Sequence, residues 1–198
     1  MMRKTVGVLA LQGDFEAHGR ALQRAGARVV EVRTAGELAM CDGLVIPGGE
    51  SSTMLRLLGV ENLFEPLRRF GQRKPIYGTC AGAILLAHHV TNPEQPSLDL
   101  IDIDVERNAY GRQIDSRIGR VEADGEPVEA VFIRAPIIRR VGSEAIVRAT
   151  YLGDPVWVED GTHMVTTFHP ELTGDARVYV HFLGKLMARR AAVCSMAS

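Results

Sequence analysis

The sequence has few of the features that mark secreted, membrane or nucleic-acid-binding proteins. It contains three cysteines in 198 residues and no CxxC pair, which argues against a disulfide framework or a zinc site. The formal net charge is −1, so the chain as a whole has no attraction for nucleic acid or an acidic membrane. No apolar run reaches the ~20 residues that span a bilayer. We therefore predict a globular protein of the cytoplasm.

Two local patterns could suggest a signal peptide or a metal site, and both have simpler interpretations. The N-terminal apolar stretch ends in Gln-Gly-Asp without a small-residue cleavage site, so it predicts a first strand. His88 and His89 are adjacent, and adjacent side chains on a helix do not face one metal. We interpret them as a pair at the end of a helix and predict no metal site.

The first half of the chain alternates strand-like and helix-like segments. Strands are predicted at residues 5–11, 28–32, 43–46 and 74–77. Helices are predicted at residues 15–25, from a Ser51 or Ser52 cap onward, and at residues 81–89. Repeated βα units of this kind form a mainly parallel sheet covered by helices on both faces.

The second half changes character after the segment TNPEQPS. Short strand-like segments follow at residues 101–106, 128–133, 145–151, 155–159 and 164–168. A last helix is predicted at residues 176–190, with Val180, Leu183 and Met187 on one face. The sequence thus predicts one α/β domain at residues 1–190, with added antiparallel strands in its second half, and a tail at residues 191–198.

The segment GTCAG places Cys80 between a predicted strand and a predicted helix. Its form, G-x-C-x-G, is the thiol counterpart of the G-x-S-x-G nucleophile elbow, in which a sharp turn presents the nucleophile above the sheet. The start of a helix also favours a thiolate. A buried structural cysteine at a strand end is the alternative that this segment leaves open.

The segment TTFHPELTG could supply the groups that activate a thiol. In an extended segment, His169 and Glu171 are two residues apart and point the same way. A thiol nucleophile needs a base, and the base needs an acceptor that orients it. Cys80, His169 and Glu171 are therefore candidates for nucleophile, base and orienting acid, although His-Pro-Glu alone is more often a turn at a strand end.

The segment LVIPGGESST places two glycines at the end of a predicted strand. Such a loop can present backbone N–H groups to an anion. The Gly-Lys-Ser/Thr of a phosphate-binding P-loop is missing, and so is the G-x-G-x-x-G of a dinucleotide site. We therefore predict an oxyanion hole for Cys80, with N–H donors from Gly49 and Ala81.

In this order and spacing, PGGES, GTCAG and FHPE resemble the class I glutamine amidotransferases, which use a catalytic triad. More narrowly, GVLALQGDFEAH, VERNAYGRQIDS, FIRAP and FHPELTGD resemble the glutaminase subunits of pyridoxal 5'-phosphate synthases. The resemblance implies a flavodoxin-like three-layer α/β fold. It also implies hydrolysis of L-glutamine to glutamate and ammonia without a metal or organic cofactor. The implied partner is a (β/α)₈-barrel synthase subunit, in a multi-subunit ring, that uses the ammonia to make pyridoxal 5'-phosphate.

Matched by position, the resemblance makes Cys80 the nucleophile and completes the triad with His169 and Glu171. The residues that match glutamine-contacting positions are Gly49, Glu50, Ser51, Arg107, Ile133 and Arg134. Glutamine is zwitterionic, so an arginine is expected at its α-carboxylate and a carboxylate or carbonyl at its ammonium. Which arginine meets the carboxylate stays open, since either could form a structural ion pair instead.

Three alternatives remain at this stage. The chain could be a glutaminase that feeds another synthase, such as that for imidazole glycerol phosphate, but VERNAYGRQIDS and FIRAP weigh against this. It could be a cysteine peptidase or a deglycase-like hydrolase on a similar fold. It could also be a non-catalytic regulatory subunit, against which the intact set of Cys80, His169 and Glu171 argues. We expect Cys41 to pack in the core or at a strand edge and Cys194 to be an incidental exposed thiol.

Overall fold

The structure, a computed structural model, describes residues 3–109 and 116–195. Its strands are β1 (Thr5–Leu9), β2 (Arg28–Val32), β3 (Gly43–Ile46), β4 (Ile76–Thr79), β5 (Ala87–Thr91), β6 (Ile101–Glu106), β7 (Arg117–Ala123), β8 (Glu126–Phe132), β9 (Ile137–Val141), β10 (Ile146–Tyr151), β11 (Asp154–Glu159) and β12 (Met164–Thr166). Its helices are α1 (Phe15–Arg24), α2 (Ala35–Ala39), α3 (Ser51–Val60), α4 (Phe64–Gly71), α5 (Ala81–Leu86) and α6 (Arg177–Ser195), and a single 3₁₀ turn spans Pro170–Leu172.

A seven-stranded sheet forms the middle of the molecule, in the order β10-β11-β12-β4-β3-β1-β2. The neighbours from β12 to β2 pair in parallel, whereas β11 and β10 are added antiparallel at one edge. The prediction of a mainly parallel sheet with antiparallel additions from the second half is confirmed. Two smaller sheets, β5-β6-β9 and the hairpin β7-β8, lie outside this sheet.

The sheet buries both of its faces, which is what a three-layer fold requires. Successive side chains of a strand point to opposite faces, and β3 shows the consequence. Leu44 and Ile46 belong to the core cluster that also contains Met54 and Leu58 of α3. Val45 belongs to a second cluster, with residues of α1 and α6. The near-continuous apolar runs of the central strands are explained by this two-sided burial.

The predicted helix at residues 81–89 is wrong in its second half. Helix α5 ends at Leu86, and Ala87–Thr91 is strand β5, which pairs in parallel with β6. His88 and His89 therefore lie on a strand and face solvent, whereas Val90 is buried. Periodicity does not separate helix from strand in so short an apolar run, and the pairing with β6 decides between them.

Besides β5 and the 3₁₀ turn, the elements that were not predicted from the sequence are α2, α4, β7 and β9. For α2 a usable signal exists. Thr34 accepts a hydrogen bond from the N–H of Glu37, and the Glu37 side chain accepts from the backbone of Thr34. This capping box has the sequence signature T-x-x-E.

Of the three residues predicted to share one face of the last helix, Leu183 is buried, whereas Val180 and Met187 are not. Val180 and Met187 are about half exposed, at 55% and 50%. Tyr179, Phe182 and Leu186 are buried instead. The buried stripe is thus centred one residue before the predicted one. Helix α6 also continues to Ser195, into the segment predicted as a tail. In the described part of the chain, none of the helices combines the length and apolarity needed to cross a membrane.

An ionic network around Glu159 ties strand β11 to helix α6. Its carboxylate oxygens lie 2.7 Å from His181 Nε2, 3.0 Å from Lys185 Nζ and 2.7 Å from Arg148 Nε. Burial acts to raise the pKa of Glu159, but the hydrogen bonds from His181 and Lys185 outweigh it and lower the pKa to about 2. The carboxylate is therefore ionised across the physiological range and stabilises the packing of α6 on the sheet.

Replacement of Glu159 should show a stability effect that depends on pH. We expect Glu159→Gln to lower the free energy of unfolding by ~1–3 kcal/mol at pH 7, because its partners lose a charged acceptor. A carboxyl group whose pKa is lowered on folding stabilises the fold fully when the pH is above the pKa of the unfolded state, here 4.5. This contribution disappears as the pH falls toward the folded-state pKa of about 2. Urea unfolding from pH 7 downward should therefore show the difference between wild type and variant shrinking below about pH 4.5.

Glu129 offers the matched control, since it is an exposed carboxylate on β8. Glu129→Gln should change the free energy of unfolding by less than about 0.5 kcal/mol at each pH. An effect of Glu159→Gln that stays constant from pH 7 to pH 3 would contradict the assigned charge.

Candidate active site

The predicted site residues meet at the carboxyl ends of neighbouring parallel strands. Cys80 follows β4, the loop with Gly48 and Gly49 follows β3, and His169 comes shortly after β12. In open α/β sheets this edge is where ligands bind. Three segments that are distant in sequence are thus brought together by the strand order.

Cys80 has the strained backbone of a nucleophile elbow. Its φ of 49° and ψ of −102° lie in a region that L-residues rarely adopt. The two glycines around it are required by close packing. A Cβ at Gly78 would lie 2.5 Å from the Gly82 oxygen, and a Cβ at Gly82 would lie 2.2 Å from the Ile46 oxygen. The G-x-C-x-G pattern is therefore explained by the turn that it builds.

His169 is held by contacts with β8 and with the 3₁₀ turn that directly follows His169 in the sequence. Its backbone N–H donates to the Val131 carbonyl at 2.8 Å. Its ring Nδ1 lies 2.7 Å from Oε1 of Glu171. The two side chains meet, as predicted, but for a different reason, because Glu171 lies in the 3₁₀ turn and not on an extended strand.

Cys80, His169 and Glu171 form a continuous, nearly buried row of polar groups, each less than 10% exposed. Burial acts to lower the pKa of His169, but hydrogen bonds with Cys80 and Glu171 outweigh it and hold the pKa above its ordinary value. Burial acts to raise the pKa of Glu171, whereas its interactions with His169 and His18 hold the pKa below its ordinary range. The arrangement thus favours an imidazolium beside the thiol and an ionised carboxylate behind it.

The loop after β3 passes directly over this row. Gly49 has a φ of 140°, outside the range of ordinary L-residues. A Cβ at Gly48 would lie 2.4 Å from Cε1 of His169 and 3.4 Å from Cβ of Cys80. With its amide oriented by the hydrogen-bond network, Gln12 accepts from the Glu50 N–H at 2.7 Å and donates to the Glu50 carbonyl at 3.0 Å. The loop is therefore braced from the β1–α1 connection, which the sequence analysis did not single out.

Glu50 caps helix α3, in place of the predicted Ser51 or Ser52. Its carboxylate accepts from the N–H groups of Ser52 at 3.2 Å and Thr53 at 2.6 Å. Arg107 donates from Nη2 to Glu50 at 3.3 Å and to the Ser52 hydroxyl at 2.7 Å. Burial acts to raise the pKa of Glu50, but the hydrogen bonds from Thr53 and Ser52 lower it below the ordinary value. Arg107 therefore forms the ion pair that the sequence left open, with Glu50 as its partner.

Three other residues predicted to bind the substrate are Ser51, Ile133 and Arg134. The Ser51 hydroxyl donates to Gln95 Oε1 at 3.0 Å. The Ile133 carbonyl faces the Cys80 thiol at a sulfur–oxygen distance of 3.9 Å. Arg134 is exposed, with a left-handed φ of 43°. It makes no ion pair with an acidic side chain of the described residues.

A cavity of about 140 Å³ opens at this point. The predicted residues that line it are Gly49, Glu50, Ser51, Cys80, Arg107, Ile133, Arg134 and His169. Glu171 lies behind His169 and does not line it. Three further lining residues that the sequence analysis missed are Ile84, Asn108 and Pro136. Over residues 3–109 and 116–195, no group of His, Cys, Asp and Glu side chains is arranged to hold a metal ion.

A second buried histidine stands behind the acid. His18, on α1, is fully buried, and its Nε2 lies 3.4 Å from Oε2 of Glu171 and 3.2 Å from the Thr79 hydroxyl. Its Nδ1 lies 2.9 Å from the Tyr179 hydroxyl. His18 lies in the motif GVLALQGDFEAH, but no role for this residue was predicted from the sequence.

The family model, the relatives and the solved structure that match this chain all come from glutamine amidotransferases or pyridoxal 5'-phosphate synthase subunits. A model of the SNO glutamine amidotransferase family matches residues 8–188. A Solibacter usitatus protein named pyridoxal 5'-phosphate synthase subunit PdxT is 59% identical over 192 residues, which cover 92% of this chain and 100% of that protein. The Koribacter versatilis protein of the same name is 55% identical over 180 residues, which cover 90% and 93%. A crystal structure of a glutamine amidotransferase matches with a TM-score of 0.86 and 42% identity, covering 91% of this chain and 98% of its own.

The contact between Gly48 and His169 predicts that a methyl group at position 48 disrupts the site. Gly48→Ala should push the imidazole away from Cys80, because the new Cβ would lie 2.4 Å from the ring. We expect the alkylation of Cys80 by iodoacetamide at pH 7 to slow at least tenfold, while the thermal unfolding temperature changes little.

Gly59→Ala is the matched control, since a Cβ there meets nothing within 4 Å. It should leave alkylation unchanged and stabilise α3 by up to ~1 kcal/mol. Equal alkylation rates in Gly48→Ala and wild type would show that the loop does not constrain His169.

Proposed function

The chain belongs to the SNO glutamine amidotransferase family, and we propose that it hydrolyses L-glutamine to L-glutamate and ammonia as the glutaminase subunit of a pyridoxal 5'-phosphate synthase. The two relatives described above carry this subunit name and are more than half identical to it over nearly their whole length. The ammonia would then be used in the biosynthesis of vitamin B6.

The observation that carries the proposal is the row formed by Cys80, His169 and Glu171 at the mouth of the cavity. Oε1 of Glu171 lies 2.7 Å from Nδ1 of His169, which leaves Nε2 of the imidazole for the thiol. This is the nucleophile, base and orienting acid of covalent acyl transfer. The strained backbone of Cys80 supports the assignment, because strain of this kind clusters at functional sites.

In the first half of the proposed reaction, the Cys80 thiolate attacks the side-chain amide carbon of glutamine. The carbonyl oxygen becomes an oxyanion, and the N–H groups of Gly49 and Ala81 are the proposed donors to it. Ala81 is the first residue of α5, and the first N–H groups of a helix have no partner within the helix. One such donor is worth ~3–4 kcal/mol in the transition state.

The intermediate then collapses as His169 gives its proton to the departing nitrogen. Ammonia leaves, and a γ-glutamyl thioester on Cys80 remains. In the second half, His169 takes a proton from a water molecule that attacks the thioester. Glutamate is released, and the thiolate and imidazolium are restored. Glu171 orients the ring throughout and stabilises its positive charge.

The substrate's zwitterionic end would lie on the opposite wall of the cavity. Glu50 is held ionised by the N–H groups at the start of α3, and it is the proposed acceptor for the α-ammonium. Arg134 is the proposed partner of the α-carboxylate, because it lines the cavity without being paired to a described acidic side chain. Gly49, Ser51, Arg107 and Ile133 complete the proposed binding site.

The proposed partner is a (β/α)₈-barrel synthase subunit, with several copies of both subunits in a ring. Free ammonia is largely protonated in water and is then no nucleophile, so a glutaminase that supplies it should act only when docked. We therefore propose that turnover of this chain is low alone and rises on binding the synthase subunit. The relatives are named as subunits of a synthase, which supports the existence of a partner subunit.

Removal of the thiol should abolish the reaction. We expect Cys80→Ala to reduce glutamine-dependent ammonia release in the presence of the synthase subunit to background. The cause is loss of the nucleophile, so circular dichroism and the unfolding temperature should match wild type. Ammonia release is measured with and without the synthase subunit.

Cys41→Ala is the matched control, since Cys41 is a buried thiol that packs in the core away from the cavity. It should lower stability but keep turnover. Turnover by Cys80→Ala would rule out the thioester mechanism, and wild-type turnover that ignores the synthase subunit would remove the proposed partner.

The arginine at the cavity mouth should determine recognition of the α-carboxylate. We expect Arg134→Met to raise the KM for L-glutamine about tenfold or more with little change in kcat, because a charge-assisted hydrogen bond contributes ~1.5–3 kcal/mol. The variant should also lose the preference for L-glutamine over its α-carboxamide analogue. Steady-state kinetics on both substrates measures this.

Arg56→Met is the control, since Arg56 is exposed on α3 and does not line the cavity. A normal KM in Arg134→Met would transfer the carboxylate-binding role to Arg107.

A further inference from the structure

His18 is a fully buried histidine that the proposed mechanism does not use. It comes from α1, on the far side of the acid from the cavity. Its two ring nitrogens face groups from three different elements: Tyr179 from α6, Thr79 from β4 and Glu171 from the 3₁₀ turn. The titratable groups that face it are therefore Glu171 and Tyr179. A histidine that only fills core space would not need this set of partners.

The carboxylate of Glu171 is satisfied on one side only. Oε1 is bonded to His169, whereas Oε2 is buried and has no hydrogen-bond partner in residues 3–109 and 116–195. An unpaired carboxylate oxygen in a dry site is costly. The donor that faces it is Nε2 of His18, at 3.4 Å. A small decrease in the distance between His18 Nε2 and Glu171 Oε2 would form a hydrogen bond.

The neighbours of His18 determine which nitrogen carries the proton. Oε2 of the ionised Glu171 can only accept, so a bare lone pair on Nε2 would face a negative charge. The proton therefore belongs on Nε2, and Nδ1 accepts from the Tyr179 hydroxyl at 2.9 Å. Burial raises the pKa of Tyr179 far above its ordinary value, so the phenol keeps the proton that it donates. Glu171 and Tyr179 thus fix the tautomer of His18 together, one as the acceptor at Nε2 and the other as the donor at Nδ1.

We propose that His18 is a positioning residue for the site: its Nε2–H, oriented by Tyr179, holds Oε2 of Glu171 so that Oε1 stays on His169. The inference rests on the proposed function of Cys80, His169 and Glu171. It extends the row of three groups to five, running Tyr179, His18, Glu171, His169 and Cys80.

This contact has a specific consequence for the acid. The terminal torsion of a glutamate is broad and nearly two-fold, so a carboxylate held by one oxygen can turn easily. A donor on the second oxygen fixes the plane of the group, and the plane of the group fixes the ring of His169. Loss of the donor should therefore slow the chemical step and leave the binding of glutamine unaffected.

A matched pair of substitutions separates the two nitrogens of His18. Gln places an amide N–H near the position of Nε2, toward Glu171, whereas Asn places its amide near Nδ1, toward Tyr179. The kcat and KM for L-glutamine are measured with the synthase subunit for wild type, His18→Gln and His18→Asn. The rate of Cys80 alkylation by iodoacetamide is measured on each chain from pH 5 to pH 9, with Cys80→Ala as background.

We expect His18→Asn to lower kcat roughly 10–100-fold, as loss of a partner that orients an active-site group commonly does, with KM within about twofold of wild type. His18→Gln should recover most of this loss. The alkylation of His18→Asn should reach half its maximal rate at a higher pH than wild type, because a loosely held Glu171 stabilises the imidazolium less. Wild-type behaviour of both variants, or equal losses in Gln and Asn, would overturn the assignment.

If neither His18 variant folds, Tyr179→Phe tests whether His18 positions Glu171. This variant removes only the hydroxyl and keeps the ring that packs on Tyr77 and His18. A threefold or larger fall in kcat at unchanged KM supports the positioning role, and an unchanged kcat overturns it. Absence of glutamine turnover in the wild-type complex would instead reject the proposed function. The alkylation profiles would still report whether His18 orients the groups beside Cys80.

Discussion

The backbone of Cys80 stays in an unfavourable conformation because the surrounding segments hold it there. A residue in such a region costs on the order of 1–3 kcal/mol, and packing must supply that energy. The Cys80 N–H donates to the Thr166 carbonyl of β12 at 2.8 Å, and Gly82 of α5 lies against the Ile46 carbonyl of β3. The contacts that maintain the strain thus also place the two neighbouring strand ends, from which the loop with Gly48 and Gly49 and the segment with His169 emerge.

Burial of a charged acid is the second constraint on the site. An isolated carboxylate in the interior would cost several kcal/mol or take up a proton. Glu171 avoids both outcomes through His169 on one side and His18 on the other. Since His18 lies on α1 and Tyr179 on α6, the two helices on that face of the sheet do more than cover apolar surface. They keep the acid ionised beside the base.

Much of the site could be predicted from the sequence, because its residues come from short motifs at strand ends. Strands β1 to β4 were predicted within two residues, and GTCAG, FHPE and PGGES each lie where a parallel strand stops. The misassigned parts depend on partners far along the chain. The segment AHHV becomes β5 only because β6 pairs with it, and α6 turns Tyr179 inward, not Val180, because the acid and His18 lie beneath it. Neither partner is visible in the local pattern of apolar residues.

The segment between β1 and α1 shows how long-range contacts join separate parts of the site. Gln12 bonds both backbone groups of Glu50 and so braces the loop that carries Gly49. Six residues later, His18 faces the acid behind His169 and reaches Tyr179, 161 positions away in sequence. The loop with Gly49 and the side chain of Glu171 are therefore both contacted by the segment that runs from β1 into α1. Because His18 is fully buried and Gln12 bonds both backbone groups of Glu50, a shift of α1 would change the positions of Gly49 and Glu171 together.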